Sequence, residues 1–342
     1  MLRIAMRRRN VPKITSADSV SPAASKPSPA RLVTATGSMT PSSHRLRADS
    51  AEAALRVQQT RAMLAACSVC PRMCGTARLA GEIGLCRAGE DLKIASWNLH
   101  RGEEPPISGH GGSGTIFLSG CSLRCVYCQN YPISQFAAGE IVSTERFVEI
   151  MLELEKSGAH NINFVTPTHY TPQIVDGVMR ARGRGLSIPI VWNTSGYERV
   201  ETLRLLEGIV DIYLADMRYG EDGSAKKYSK VTDYAAINRA AIAEMHRQVG
   251  VLKVDAEGIA QRGLLVRHLV LPGGIASSGK VFRFLANKIS VHTAVSVMSQ
   301  YFPAHKATDD ALLKRRLRSD EYSAALAEFE AAGLSNGYCQ YE

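Results

Sequence analysis

Six short and nearly uninterrupted apolar runs mark the chain from residue 115 onward: TIFLS (115–119), NINFVT (161–166), IPIVWN (188–193), VDIYLAD (210–216), LLVRHLVL (264–271) and TAVSVMS (293–299). Runs this continuous read as strands buried on both faces, since half-exposed strands alternate apolar with polar positions. Between them the apolar residues recur with a helical period, in TERFVEIMLELEKSG, PQIVDGVMRARGRG, VETLRLLEG, YAAINRAAIAEMHRQVG and SGKVFRFLANKI, and a last such stretch, SDEYSAALAEFEAAG, follows. Ser319 reads as its N-cap with acids behind it, and Gly333 closes its last turn. Strand and helix in alternation predict an α/β fold, a parallel sheet covered by helices. An open doubly wound sheet and a partial (βα) barrel satisfy this pattern equally. Both gather their chemistry where the loops leave the carboxyl ends of the strands. PTHY (167–170), NTSGY (193–197), DMRY (216–219), LPGG (271–274) and MSQY (298–301) lie at such ends.

The first 48 residues do not share this pattern. They are rich in Arg, Ser, Ala and Pro and nearly free of acidic and aromatic residues, so they bury too little apolar surface to offset the entropy of ordering. A disordered or targeting tail is expected over 1–48. The composition suits an organellar transit peptide, or an over-long start on a bacterial chain. A cytoplasmic location is expected, or an organellar one if the tail is a transit peptide. The formal charge of +9 suggests nucleic acid until its distribution is seen: residues 1–60 hold ten Lys+Arg and three Asp+Glu, leaving only +2 on the other 282. A zinc-binding nucleic-acid module needs a basic folded surface, and this balance disfavours it. No apolar stretch reaches the roughly 18 residues of a membrane span, so no membrane association is expected.

Of the eight cysteines, Cys67, Cys70 and Cys74 fall in CSVCPRMC, Cys86 in GEIGLC, Cys121, Cys125 and Cys128 in CSLRCVYC, and Cys339 near the end. Such close spacing, without a secretory signal, points to metal ligation and away from disulfides. Three thiolates on one loop after the first strand match three corners of a [4Fe-4S] cube and leave one iron open. A zinc knuckle completed by a distant residue is the alternative, although zinc motifs normally come as paired doublets. Upstream, Cys67, Cys70, Cys74 and Cys86 supply four thiolates, enough for a closed zinc site or a second cluster. Cys339 reads as a lone thiol.

The C-x3-C-x-aromatic-C loop, with Tyr127 before its third cysteine, resembles the signature of the radical S-adenosylmethionine (radical SAM) superfamily. CPRMCG, GEIGLC, EEPPISG, CQNYPISQ, VTPTHY, NTSGY, LEGIVDIYLAD and RHLVLPGG resemble the branch related to pyruvate formate-lyase-activating enzyme, from about Cys67 to Gly333. The resemblance implies a partial (βα)6 TIM-like barrel over 111–335, preceded by an N-terminal helix and Cys-rich metal-binding segment over 49–110 and followed by a tail over 336–342. It implies a [4Fe-4S] cluster on the trio, S-adenosylmethionine chelated to the open iron, and reductive cleavage to a 5'-deoxyadenosyl radical that abstracts hydrogen. It further implies an electron donor such as flavodoxin or ferredoxin, and a glycyl-radical enzyme or other protein as partner. Around the cofactor it places Tyr127, Thr168, His169, Asn193, Thr194, Asp216, Arg218 and Arg267. One departure concerns the G-G-E that many members carry at the end of the second strand. Here TPTHY offers Thr166, Thr168 and His169 but no carboxylate.

Two further signals carry no chemistry. GHGGSG (109–114) precedes a strand and lacks the Lys and Ser/Thr of a phosphate loop, so a flexible lead is expected there. His100, His110, His160, His246, His268, His292 and His305 form no metal-binding pair.

Overall fold

In a computed structural model of the chain, residues 44–339 are described. Ten strands form one mixed sheet: β1 (Leu92–His100), β2 (Ser113–Leu118), β3 (Glu140–Val142), β4 (Ile162–Val165), β5 (Ile190–Thr194), β6 (Ile212–Asp216), β7 (Lys253–Val254), β8 (Ala260–Leu269), β9 (Ala294–Met298) and β10 (Gly337–Cys339). The order is β10-β9-β8-β6-β5-β4-β2-β1-β3, with β7 paired to β8 off the path. The six expected strands are the six consecutive parallel ones from β2 to β9, with no strand of another direction among them. The sheet does not close on itself, its edges being β10 and β3, and this gives the partial barrel. Among the described residues no helix is long and apolar enough to cross a membrane.

The helices pack outside these strands. Thr144–Lys156 begins at Ser143, whose side chain accepts the amide of Arg146, and buries Phe147, Val148, Ile150, Met151 and Leu154 on one face. Thr171–Gly183 lies beside it and buries Ile174, Val175 and Val178 in the same core. The final helix, Ser319–Ala331, differs from expectation at its start. Arg318 occupies the cap and Ser319 the first helical position, because the Glu321 carboxylate turns back to accept the Arg318 amide at 3.0 Å.

Inside the barrel, alternate residues of the parallel strands form layers. Val191, Ile212, Leu214, Leu265 and Ala294 make an apolar floor, which Ile107 joins. Ile107 belongs to the β1–β2 connection, so this hairpin folds inward. It is pinned there by Asn161, which donates to the Ile107 carbonyl at 2.8 Å and accepts from Ser113 at 2.7 Å. The expected flexible GHGG lead is part of this plug. Gly112 donates to Ser108, Gly111 to His160, and a Cβ on Gly109, at φ +49°, would stand 2.2 Å from Ile259.

The sheet crosses two expected boundaries. From the expected Cys-rich segment, β1 pairs antiparallel with β2, and from the expected C-terminal tail, β10 pairs parallel with β9 through Cys339. The expected tail also ends sooner. Residues 1–43, with most of the expected targeting segment, lie outside the described residues, whereas His44 and Arg45 both contact buried Asp211, at 3.0 and 2.8 Å, and the Leu46 amide donates to Gly208.

Candidate functional site

The trio loop leaves the carboxyl end of β2 through Gly120, at φ +88°. A Cβ there would lie 2.2 Å from the Cys86 carbonyl oxygen, so glycine is required for the Cys121 amide to donate to that oxygen at 3.2 Å. Residues 222–229 form a helix whose end holds the loop: Arg124 and Val126 donate backbone amides to Ser229 and Tyr228. Cys125 and Cys128 Sγ lie 3.0 Å from the hydroxyls of Ser229 and Ser134, and the Leu123 amide donates to Cys121 Sγ. Tyr127 is buried, its hydroxyl 2.6 Å from that of Tyr219, within an apolar shell with Leu123, Tyr197 and Leu271. This shell buries Cys121 and Cys125 and leaves Cys128 partly exposed, and burial pushes the Cys121 thiol up to about 12. A metal bound here must therefore displace protons, and a cation stands ready to stabilise the resulting charge. Arg218 Nη1 donates to Cys125 Sγ at 3.0 Å.

Arg218 opens a chain of charges into the barrel. Its Nε and Nη2 donate to Asp216 Oδ2 at 3.1 and 2.8 Å, and Arg267 Nε donates to Asp216 Oδ1 at 2.9 Å. Arg267 also donates to Asn193 Oδ1 at 2.5 Å and pairs with Glu103 at 3.3 Å. Burial alone would raise the Asp216 carboxyl, but the two guanidiniums prevail and hold it below the usual range. Asn193, Asp216, Arg218 and Arg267 are thus brought together beside the trio.

Thr168, His169 and Thr194 are not. Thr194 follows Asn193 in β5 and so faces the other side of the sheet, where it donates to Glu198 at 2.5 Å. Thr168 donates to the same carboxylate at 2.7 Å and Trp192 at 3.1 Å. His169 donates from Nε2 to the Ser119 carbonyl at 2.8 Å, and burial lowers its pKa to about 4, so the ring is neutral. Thr166, just before this turn, has φ +60°, a strained conformation for a β-branched residue at a strand end.

Three contributors were not read from the sequence. Glu198 places a carboxylate against Thr168, where TPTHY itself has none, and EEPPISG and the β4 alternation were the only hints of Glu103 and Asn163. Glu103 accepts from Asn163 at 3.1 Å and from Asn193 at 3.2 Å, on the plug's inner side. Asn163 Oδ1 and Glu104 Oε2 are buried acceptors with no partner among the described residues, and burial raises the Glu104 carboxyl.

The upstream cysteines converge too. Cys67, Cys70, Cys74 and Cys86 line one pocket with Arg78 and His169. Burial pushes the Cys70 thiol up to about 12 and raises that of Cys86. At Cys74 burial acts the same way but is outweighed by hydrogen bonds, chiefly from Thr76, and the thiol is lowered. Among the described residues, no three Cys, His, Asp or Glu side chains close on a point that a single ion could occupy.

The Radical SAM superfamily model matches residues 115–236. An uncharacterized protein of Methanocaldococcus jannaschii is 30% identical over 287 residues, 82% of this chain and 79% of its own length. Another from the same organism is 29% identical over 182 residues, 48% of this chain and 51% of its own. Among solved structures, HydG, a maturase of the [FeFe]-hydrogenase, aligns with TM-score 0.47 and 14% identity over 67% of this chain, which covers 52% of the HydG chain. anSMEcpe with bound AdoMet and Cp18Cys peptide aligns with TM-score 0.43 and 13% identity, covering 64% of this chain and 60% of that one. The matched family region starts in the strand that delivers the cysteine loop and runs past the Asp216–Arg218 pair, and the chain belongs to the radical SAM superfamily.

Proposed function

We propose that Cys121, Cys125 and Cys128 hold a [4Fe-4S] cluster and that Asn193, Asp216, Arg218 and Arg267 position S-adenosylmethionine beside it. The cluster, once bound and reduced, supplies the electron that cleaves the sulfonium and so yields a 5'-deoxyadenosyl radical for hydrogen abstraction. The observation that carries this reading is the unbroken contact from Cys125 through Arg218 and Asp216 to Arg267. Arg218 offsets thiolate charge, Asp216 fixes both guanidiniums, and Arg267 presents nitrogen donors to a carboxylate such as that of the methionyl part. The tyrosine shell around Tyr127 excludes water from the reacting region.

For the substrate, the resemblance to the pyruvate formate-lyase-activating branch favours a glycyl residue of a partner protein, which makes the chain an activase. The unpartnered acceptors Asn163 Oδ1 and Glu104 Oε2 favour a second reading, a small molecule or another protein side chain that brings hydrogen-bond donors into the barrel. An electron donor of the flavodoxin or ferredoxin class is needed in both. The test is anaerobic turnover with S-adenosylmethionine and a reductant, with a candidate glycyl-radical enzyme added. 5'-Deoxyadenosine together with a glycyl radical signal on the added protein supports the activase. 5'-Deoxyadenosine without that signal, but formed in stoichiometry with the loss of an amine-bearing small molecule, supports the second reading. Absence of 5'-deoxyadenosine from a protein loaded with iron overturns both. The upstream cysteines form a second metal site in this proposal.

A further inference from the structure

Inside the barrel, the plug and the strands leave polar atoms that the chain itself does not satisfy. Paired positions on parallel strands share a face, so Asp216, Arg267, Ser296 and Tyr338, in register from β6 through β8 and β9 to β10, all look inward. Tyr338 packs against the apolar floor on that side. On β4, Asn163 stands in register with Val191 of the same floor and donates to Glu103 of the plug. Three buried atoms of this layer have no partner among the described residues: Asn163 Oδ1, Glu104 Oε2 and the Tyr338 hydroxyl. Asn163 is wholly buried, and Glu104 retains 9% of its surface. Groups this enclosed are normally hydrogen-bonded, so each calls for a partner.

The shape of the plug does not account for a buried acid at position 104. The Glu104 carbonyl accepts the amides of Ile107 and Ser108 at 2.8 and 3.1 Å, and the Ser108 hydroxyl accepts the Glu103 amide at 3.0 Å. None of these bonds uses the Glu104 side chain. Burial is the largest influence on its carboxyl and raises it; Glu103 adds to this, and Arg267 and Ser296 act the other way. The Tyr338 phenol is pushed up to about 12, by burial first and then by Glu104, so phenol and carboxyl are neighbours.

What is left over defines the missing ligand. Carboxylate and amide oxygens only accept, and a phenol can accept as well as donate, so an anion has no place here. In charge, Glu103, Glu104 and Asp216 face Arg218 and Arg267, one carboxylate more than there are guanidiniums. Asp216 engages both arginines, and Arg267 also meets Glu103 and Asn193. Glu104 makes no ion pair among the described residues. A primary ammonium brings three donors, no acceptor and one positive charge, which is the set required. The layer is open to such a molecule, because the side chains of Glu103, Asp216 and Arg267 remain 11%, 13% and 17% exposed.

We propose that Glu104, with Tyr338 beside it, binds a primary ammonium group of the substrate, and that Asn163 accepts a further N–H of the same molecule. This rests on the second reading of the substrate given above. Arg267 borders both Glu104 and the Asp216 network, so an amine held at Glu104 lies next to the place assigned to S-adenosylmethionine.

The test titrates the full chain, reconstituted anaerobically with iron and sulfide, with butylammonium in a calorimeter, and uses butanol as the neutral and butyrate as the anionic analogue. Butylammonium should bind saturably and about tenfold or more tightly than either analogue, and Glu104→Gln should weaken it by about tenfold or more. Tyr338→Phe keeps the carboxylate and should weaken binding severalfold; it decides the matter if Glu104→Gln does not fold. Absence of saturable binding, equal binding of the three probes, displacement of butylammonium by an equal concentration of potassium, or unchanged affinity in Glu104→Gln overturns the subsite. Binding requires no turnover, so the two readings fail separately. A protein that binds butylammonium as expected but forms no 5'-deoxyadenosine loses the radical mechanism and keeps the subsite. One that forms 5'-deoxyadenosine but ignores butylammonium loses the subsite alone.

Discussion

Replacing Asp216 with Asn tests the charge network at its centre. The carboxylate is 13% exposed and receives both Arg218, 25% exposed, and Arg267, 17% exposed. Removing one partner of a buried ion pair costs about 3–5 kcal/mol, because the other charge stays buried and unpaired. Here Arg267 keeps Asn193 and Glu103, Arg218 keeps Cys125, and the Asn carbonyl still accepts one bond. The lower end, about 3 kcal/mol, is therefore expected. For a domain of this size that corresponds to a fall in melting temperature of roughly 5–10 °C at pH 7. The two guanidiniums depress the folded pKa of Asp216, so its contribution is complete above the ordinary carboxylate value of about 3.9, declines as the pH falls below it, and vanishes below the folded pKa. The gap between wild type and D216N should accordingly narrow toward about pH 3. Thermal melts across this range and equilibrium dialysis with S-adenosylmethionine, where affinity should fall about tenfold or more, make the assay. A D216N protein melting within about 1 °C of wild type at pH 7 would refute the coupling inferred for the two arginines.

At Glu198 the sign is reversed. Burial raises its carboxyl, so the folded state holds the proton more tightly and stability declines as the pH rises through that raised pKa. Glu198→Gln should remove this decline, so the variant gains on wild type as the pH rises above the ordinary Glu value of about 4.3, and parallel melting curves would contradict the shift. Glu103→Ala leaves the Asn163 and Asn193 amides without their acceptor and should lower stability by about 1–3 kcal/mol, read by denaturant titration; an unchanged midpoint would mean the plug does not hold the barrel's polar layer. Compared with a chain beginning at residue 44, one beginning at residue 49 loses His44 and Arg45 from Asp211 and should melt a few degrees lower, by about 2 kcal/mol, and equal melting of the two would show those contacts to be idle.

The six central strands could be read from the sequence because burial on both faces makes them continuous apolar runs. The strands at the margins could not. In β1 the burial wanes along LKIASWNLH, ending on exposed Trp97 and half-exposed His100, and β3 and β10 have three residues each, too few to show a period. The trio was legible because its spacing is local. The set expected around a cofactor required knowing which way each side chain turns. Asn193 and Thr194 are neighbours in sequence and yet face opposite sides of the sheet, and His169 reaches the upstream pocket instead of the charge network. Glu103 became visible only once the β1–β2 connection was seen to fold inward, a tertiary placement to which neither composition nor period is sensitive. For the upstream cysteines the spacing counts thiols but does not place them; the loops that carry them bring all four to the lining of one pocket.

The central claim is that the thiols of Cys121, Cys125 and Cys128 carry the chemistry, and the most direct measurement is 5'-deoxyadenosine formed from S-adenosylmethionine by reconstituted, reduced protein under anaerobic conditions. Wild type should form it, and the variant with all three cysteines changed to Ala should form none while keeping the far-ultraviolet circular dichroism of the folded barrel. A folded triple variant that still forms 5'-deoxyadenosine would contradict the account.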